Sequence, residues 1–202
     1  MYSSLIWSLC ALLFLLAASC RSAVNQRVSP DARDAVGGAV LESQDIRTMA
    51  DSMARDLAAS GILSARTGGS AVTFYVMGMQ NQSSDTINRE IIVADIETAL
   101  LQMKGPEIAV LDRSSVGLDA VKREREAKRA GAVTSKRDRV GEVEGSDYVL
   151  YGTIRDRVQQ SGRLKSAFYD VTFTLTDLET DRKVWQRNYQ TKFLSNRPVT
   201  AR

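Results

Sequence analysis

Residues 167–178 read Ala-Phe-Tyr-Asp-Val-Thr-Phe-Thr-Leu-Thr-Asp-Leu. Within this stretch Tyr169, Val171, Phe173 and Leu175 alternate with Asp170, Thr172, Thr174 and Thr176. Side chains of a strand point alternately to opposite faces, so the spacing predicts a strand with one face buried and one face wet. Upstream, Gln160-Ser161-Gly162-Arg163 reads as a hairpin turn. Before it, Asp147 to Val158 reads as a strand carrying Tyr148, Leu150 and Ile154 on one face. Downstream, Glu179-Thr180-Asp181 turns the chain again, and Lys183 to Phe193 closes an antiparallel meander with Trp185 and Tyr189 on a common face.

The region before the meander alternates helix and strand. Ile46, Met49, Ala50, Met53, Ala54 and Leu57 recur at helical spacing, with Ser43 as N-cap, Asp45 in the first turn and Gly61 as the stop. After a turn at Gly68-Gly69-Ser70, Ala71 to Met77 reads as a strand apolar on both faces, which predicts a central place in a sheet. Asp85 is the expected cap of a second helix carrying Ile87, Ile91, Ile92, Ile96, Ala99, Leu100 and Met103. Gly105-Pro106 ends it, Glu107 to Asp112 forms a short strand, and Ser114 or Ser115 opens a third helix. The order α-β-α-β-α-β-β-β predicts an α+β fold, an α/β sandwich. Its mixed sheet ends in an antiparallel meander and is packed by about three helices.

The third helix is highly charged. Arg113 to Arg139 holds nine Lys or Arg against four Asp or Glu, and Lys122–Glu126 and Glu124–Lys128 are spaced to pair. A basic patch for an acidic partner or an anionic glycan is one reading. The favoured one is a solvated face laced with ion pairs. The formal net charge of the 202-residue chain is only +3, too weak to argue for nucleic acid.

At the N-terminus, Leu5 to Ala18 is apolar except for Ser8 and ends in Ala17-Ala18-Ser19-Cys20. The run is short for a membrane span and suits the apolar region of an export signal. Small residues before a cysteine fit lipoprotein processing, in which the thiol is acylated and cleavage leaves Cys20 as the new N-terminus. Leu16 sits one position earlier than usual, and Met1 to Ser4 contains no Lys or Arg. A plain signal peptide with an incidental Cys20 is the competing reading. Cys10 leaves with the signal, so an acylated Cys20 leaves no thiol for a disulfide. The expected organisation is a signal over 1–19, a lipidated N-terminus and tether over 20–42, a globular domain over 43–194 and a tail over 195–202. Fully extended, the tether would reach roughly 75–80 Å.

Catalytic chemistry is poorly supplied. The chain has no His, which excludes Ser-His and Cys-His sites, and it lacks the His or Cys cluster of a zinc site. Gly68-Gly69 lacks the glycine and lysine spacing of a phosphate loop. Asp177 and Glu179 fall at a strand end and turn, where backbone reasons explain them. The expectation is a non-enzyme with no cofactor, no metal and no small-molecule substrate.

Asp147-Tyr-Val-Leu-Tyr-Gly-Thr-Ile, then Phe173-Thr-Leu-Thr-Asp-Leu-Glu-Thr, then Val184-Trp185 and Lys192, resemble the LpoB family of outer-membrane lipoproteins that activate bifunctional penicillin-binding proteins. The strand into Asn81, the helix at 85–103 and the strand Ile108 to Asp112 resemble it too, so the likeness covers roughly residues 43–194. It implies a fold like the N-terminal domain of TolB and a penicillin-binding protein as partner. It also implies an outer-membrane anchor facing the periplasm, to which Arg21 after the cysteine points by resemblance. The best-known members carry a long Pro-rich tether, whereas residues 21–42 are short and contain one Pro. A structural or secretion-associated lipoprotein of the TolB-like or curli-export kind is the alternative. No motif marks the contact residues. Arg155, Arg157, Arg163 and Lys165, near the central hairpin, are the candidates, and surface solvation is the competing reading for each. For the anchor, Cys20→Ser is expected to abolish palmitate labelling and release the protein from the membrane. Continued anchoring of that variant would refute the lipid assignment.

Overall fold

The computed structural model describes residues 27–34, 38–64, 71–102, 108–134 and 143–196. Cys20, Arg21, the Gly68-Gly69-Ser70 turn, Met103, the Gly105-Pro106 stop and residues 197–202 lie outside the described residues. From Arg33 onward the chain forms one unit. Its elements in chain order are α1 (Ser43–Ala59), β1 (Val72–Asn81), α2 (Arg89–Gln102), β2 (Ile108–Val110), α3 (Ser115–Arg129), β3 (Tyr148–Ser161), β4 (Leu164–Asp177) and β5 (Lys183–Asn196). The α-β-α-β-α-β-β-β order and the α+β class agree with the sequence pattern.

The five strands make one mixed sheet in the order β2-β1-β3-β4-β5. β1 runs parallel to both β2 and β3, while β3-β4-β5 is the antiparallel meander. β1 lies inside the sheet, as its two apolar faces require, and Val72, Thr73 and Phe74 are buried in succession. Two irregularities bend the sheet. Met77 is an extra residue between the paired Val76 and Gly78, where Gly78 takes φ +129°, a conformation that side chains other than glycine's hydrogen rarely adopt. Val184 is a second bulge, opposite the Leu175–Thr176 step.

One side of the sheet carries the core. α1 contributes Met49, Ala50, Met53, Ala54 and Leu57, and α2 contributes Ile92, Ile96 and Leu100, one side chain per turn. They pack with Phe74, Leu150, Ile154, Tyr169, Val171, Phe173 and Leu175 in a single cluster. α3 is different: it is capped by the Ser114 side chain, which accepts from the Gly117 N–H at 3.0 Å, but buries no residue. Its charged residues are largely exposed, and Lys136, Arg137 and Arg139 of the same basic run lie outside the described residues. Lys128 meets Glu124 at 3.1 Å, whereas Lys122 and Glu126 form no pair.

Two caps differ from expectation. α1 begins one residue earlier, with Glu42 and Asp45 forming a reciprocal capping box, and Ser43 turns its N–H (3.1 Å) and hydroxyl (2.8 Å) to Asp34. Asp85 does not cap α2. The helix starts at Arg89, where the Asn88 side chain accepts from the Glu90 N–H at 3.1 Å, and the Asp85 carboxylate is drawn to Tyr169 instead. The packed unit also reaches back ahead of Ser43, because Ala39 is fully buried and Leu41 packs against the core.

Gly152 marks the tightest approach in the sheet. A Cβ built there would meet Met79 Sδ at 2.2 Å, Met79 Cε at 2.7 Å and Phe173 Cδ1 at 3.1 Å. The Met79 thioether lies over the bare backbone of β3. Gly152→Ala is therefore expected to cost about 1–3 kcal/mol through overpacking. Met79→Ala alone should cost about 2–5 kcal/mol as a cavity. The double variant should fall clearly short of their sum in denaturant melts, because the space vacated by one receives the other.

Candidate partner-binding surface

The same alternation that buries one face of β4 leaves the other uncovered by helix. Register fixes what stands there. Arg155 of β3 lies opposite Asp170 of β4, and Arg157 lies opposite Phe168. On β5, Gln190 lies opposite Asp170 and Lys192 opposite Phe168. A row Arg157–Phe168–Lys192 thus crosses three strands, two cations flanking one aromatic ring.

Asp170 does not neutralise that row. Its Oδ1 accepts from Gln190 Nε2 at 2.9 Å and Asn188 Nδ2 at 3.3 Å, and its Oδ2 accepts from Thr172 Oγ1 at 3.3 Å. Arg155 turns the other way, its Nε–H donating to Gln82 Oε1 at 3.1 Å. Arg157, Gln159, Ser166, Phe168 and Lys192 line a shallow depression of about 220 Å³. Among the described residues, neither Arg157 nor Lys192 has an acidic partner. The arrangement can receive a carboxylate beside an apolar contact.

The four sequence candidates are therefore not one cluster. Arg155 and Arg157 share the open face. Arg163 sits in the two-residue turn between the Ser161–Leu164 pair, and Lys165 falls in step with Ala167 and Tyr169, on the helix side. Phe168 and Lys192 complete the surface. Only the cross-strand register brings them beside Arg157, and on β5 that register depends on the extra residue Val184, which placing the turns does not reveal: without it Phe168 would stand opposite Thr191.

Behind this surface two tyrosines tie outer segments to the core. Tyr169 donates its hydroxyl hydrogen bond to the Asp85 carboxylate, and the Ala39 carbonyl lies 3.5 Å from the same oxygen. Ser84 donates its N–H to Asp156 at 3.0 Å and its hydroxyl to the same oxygen. The loop carrying Gln82 is thereby held against β3. Tyr189 donates to Asp56 at 3.0 Å, and the same Asp56 oxygen takes the Arg187 guanidinium at 3.0 Å, joining α1 to β5. Burial raises the pKa of Tyr169 well above the usual phenol value, and the Asp85 hydrogen bond and charge raise it further. Burial likewise raises Tyr189, with Asp56 adding to it and Arg187 and Arg55 opposing.

Among the described residues no group of His, Cys, Asp or Glu could hold a metal ion, and no helix is long and apolar enough to cross a membrane.

The sequence matches the family model described as peptidoglycan-synthase activator LpoB over residues 45–191, from the first turn of α1 into β5. It matches no curated protein. Among solved structures, the LpoB C-terminal domain from Salmonella enterica is similar at 13% identity, with 73% of this chain and 98% of that one covered and a TM-score of 0.43. The Escherichia coli domain aligns at 13% identity over 73% and 98%, with a TM-score of 0.41. Lipoprotein GNA1162 from Neisseria meningitidis aligns at 16% over 64% and 88%, with a TM-score of 0.40. The family match, not these distant likenesses, carries weight.

The tyrosine locks make stability depend on pH at the alkaline end. In the unfolded chain a tyrosine ionises near pH 10, while the folded state still holds its proton, so stability is complete below about pH 10 and falls as pH rises above it. Tyr169→Phe and Tyr189→Phe are each expected to cost about 1–2 kcal/mol at neutral pH. Each should also flatten the alkaline decline measured by urea melts between about pH 9 and 11.

Proposed function

The chain belongs to the LpoB family of peptidoglycan-synthase activators, and from that premise we propose that it binds a bifunctional penicillin-binding protein and stimulates its glycan polymerisation and crosslinking. In this reading it works as a lipoprotein, held by Cys20 in the outer membrane and facing the periplasm. The family match carries the proposal. Its family is one of activators rather than catalysts, and the chain's lack of histidine agrees with a protein that acts by binding.

The open sheet face supports a docking role. Arg155, Arg157 and Lys192 are exposed beside Phe168, a charge pattern that favours an acidic partner surface and speeds encounter with it. Arg163, at the hairpin tip, extends the same charge; Lys165, on the other side of β4, is the weakest of the candidates.

Reach constrains the partner. Ala39 is the first buried residue described, so residues 21–38 separate the packed chain from Cys20. Even fully extended, that length spans about 60 Å. An inner-membrane synthase must therefore project a domain well toward the outer membrane to be touched.

The purified full-length protein in detergent, added to each bifunctional synthase of its host, is expected to raise both glycosyltransferase and transpeptidase rates. Unchanged rates for every one of them would refute the activator reading. Replacing both Arg157 and Lys192 by Glu should weaken synthase binding about tenfold, with a stronger effect at low salt.

A further inference from the structure

β5 is a long edge strand. Among the described residues it pairs with β4 on one side and with no strand on the other. The pairing phase follows from two hydrogen bonds at the end of β4. The Leu178 N–H donates to the Asp147 carbonyl on the β3 side, and the Asp177 N–H donates to the Arg182 carbonyl on the β5 side. Backbone bonding alternates along an antiparallel strand, so the odd-numbered residues of β4 bond to β5. Their partners are Arg187, Tyr189 and Thr191. The backbone N–H and C=O groups of Gln186, Asn188, Gln190 and Lys192 are thus directed to the free edge.

A groove runs along that same edge. Gln44, Thr48 and Ser52 of α1, with Leu41, Asp45 and Met49, face Tyr189, Gln190 and Thr191 of β5 across a space of about 310 Å³, and Asp45, which accepts from the Glu42 N–H, would repel an acidic side chain entering there. An extended chain laid against β5 would satisfy the free backbone groups and turn every second side chain into this groove. Its other side chains would continue the open face of the sheet.

Charge selects the occupant. β5 contains Lys183, Arg187 and Lys192 and no acidic residue. Arg187 is paired to Asp56 on the helix side, but Lys192 lies on the open face together with Arg157. Two copies of β5 laid edge to edge would bring together two strands that carry cations and no acid, with Arg187 alone compensated, by Asp56. Like charges across a strand pair oppose pairing, so a second copy of this chain is disfavoured and an acidic strand is favoured.

We propose that the free edge of β5 receives an extended, acidic segment of another protein as a sixth strand. Acidic side chains of that segment meet the open face, and small or apolar side chains enter the groove beside α1. Backbone bonding supplies affinity and the groove supplies selectivity. The proposal concerns a mode of binding and stands whether or not the partner is a peptidoglycan synthase.

The test uses the full-length protein in detergent and a blocked octapeptide alternating glutamate and valine. On binding, amide hydrogen exchange followed by NMR should slow at Gln186, Asn188, Gln190 and Lys192. The amides of Arg187, Tyr189 and Thr191, already bonded to β4, should change little. Gln190→Pro, which removes an outward N–H without breaking the β4 ladder, should weaken the peptide about tenfold or more. Gln190→Ala, which keeps that N–H, should weaken it by no more than about threefold. A peptide with lysine in place of glutamate should bind at least about tenfold more weakly. The proposal is overturned by no binding, by protection elsewhere, by equal binding of the lysine peptide, or by an alanine variant as weak as the proline one. Sedimentation showing a dimer that protects the same amides would overturn it too, because the edge would then belong to a second copy. If the proline variant fails to fold, the protection pattern in the unaltered chain decides. The synthase assay contains no peptide and this one contains no synthase, so the two readings fail separately.

Discussion

The pleat of β4 governs both sides of this molecule. Because β3 and β5 pair with it along its length, its register cannot drift. A slip of one residue would move Tyr169, Val171, Phe173 and Leu175 out of the core and put Asp170 and three threonines in their place. At about 1.5–3 kcal/mol for each apolar side chain, the penalty approaches the whole stability of an ordinary domain. The register that secures the core also sets Arg157, Phe168 and Lys192 in one row on the opposite face. Core and surface are two outputs of one alternation.

What surrounds β4 is fastened by a repeated device. Tyr169 and Tyr189 each lay a ring in the apolar layer and pass a hydroxyl to a carboxylate at its margin, Asp85 in one case and Asp56 in the other. The rings also meet neighbours edge to face, Tyr169 with Phe193 at 5.9 Å and Tyr189 with Phe173 at 5.8 Å. The partly exposed Arg187–Asp56 ion pair adds little by itself. Its use is positional: it keeps the Asp56 oxygen where Tyr189 needs it. α1 and the loop before α2 are held at defined points on the sheet, and α3, which has no such tie among the described residues and buries none of its own, carries its charge outward.

Much of this was legible from sequence because period is a strong signal. The two-residue period of β4 and the helical spacing of Met49, Met53 and Leu57 each point to the face that the structure buries. The failures are at ends, where a few side-chain bonds compete. Asp85 reads as a helix cap because an acid before an apolar helical run usually is one. Nothing local reveals Tyr169, 84 residues away, as the better partner. Ser43 loses the capping role to Glu42 through Asp34 and Asp45, again by side-chain bonds no propensity encodes. The candidate surface was half legible for the same reason. Charge near the hairpin marked Arg155 and Arg157, but the grouping of Phe168 and Lys192 with Arg157, and the parting of Lys165 from it, needed the strand register.

That Ala39 is fully buried and Leu41 packs on the core also bears on how an anchored domain would work. The segment before α1 is pinned through Asp34 on Ser43, and the Ala39 carbonyl faces Tyr169. Pull transmitted along the chain from a lipidated Cys20 would be borne first by this packed stretch and not by a free hinge at Ser43. It would reach the Tyr169 contact on β4, the strand whose outer face is the candidate docking surface. In the proposed function the anchor then sets more than location. It limits the distance at which a partner can be met, and the burial of Ala39 shortens that distance by taking the residues just before α1 out of the tether.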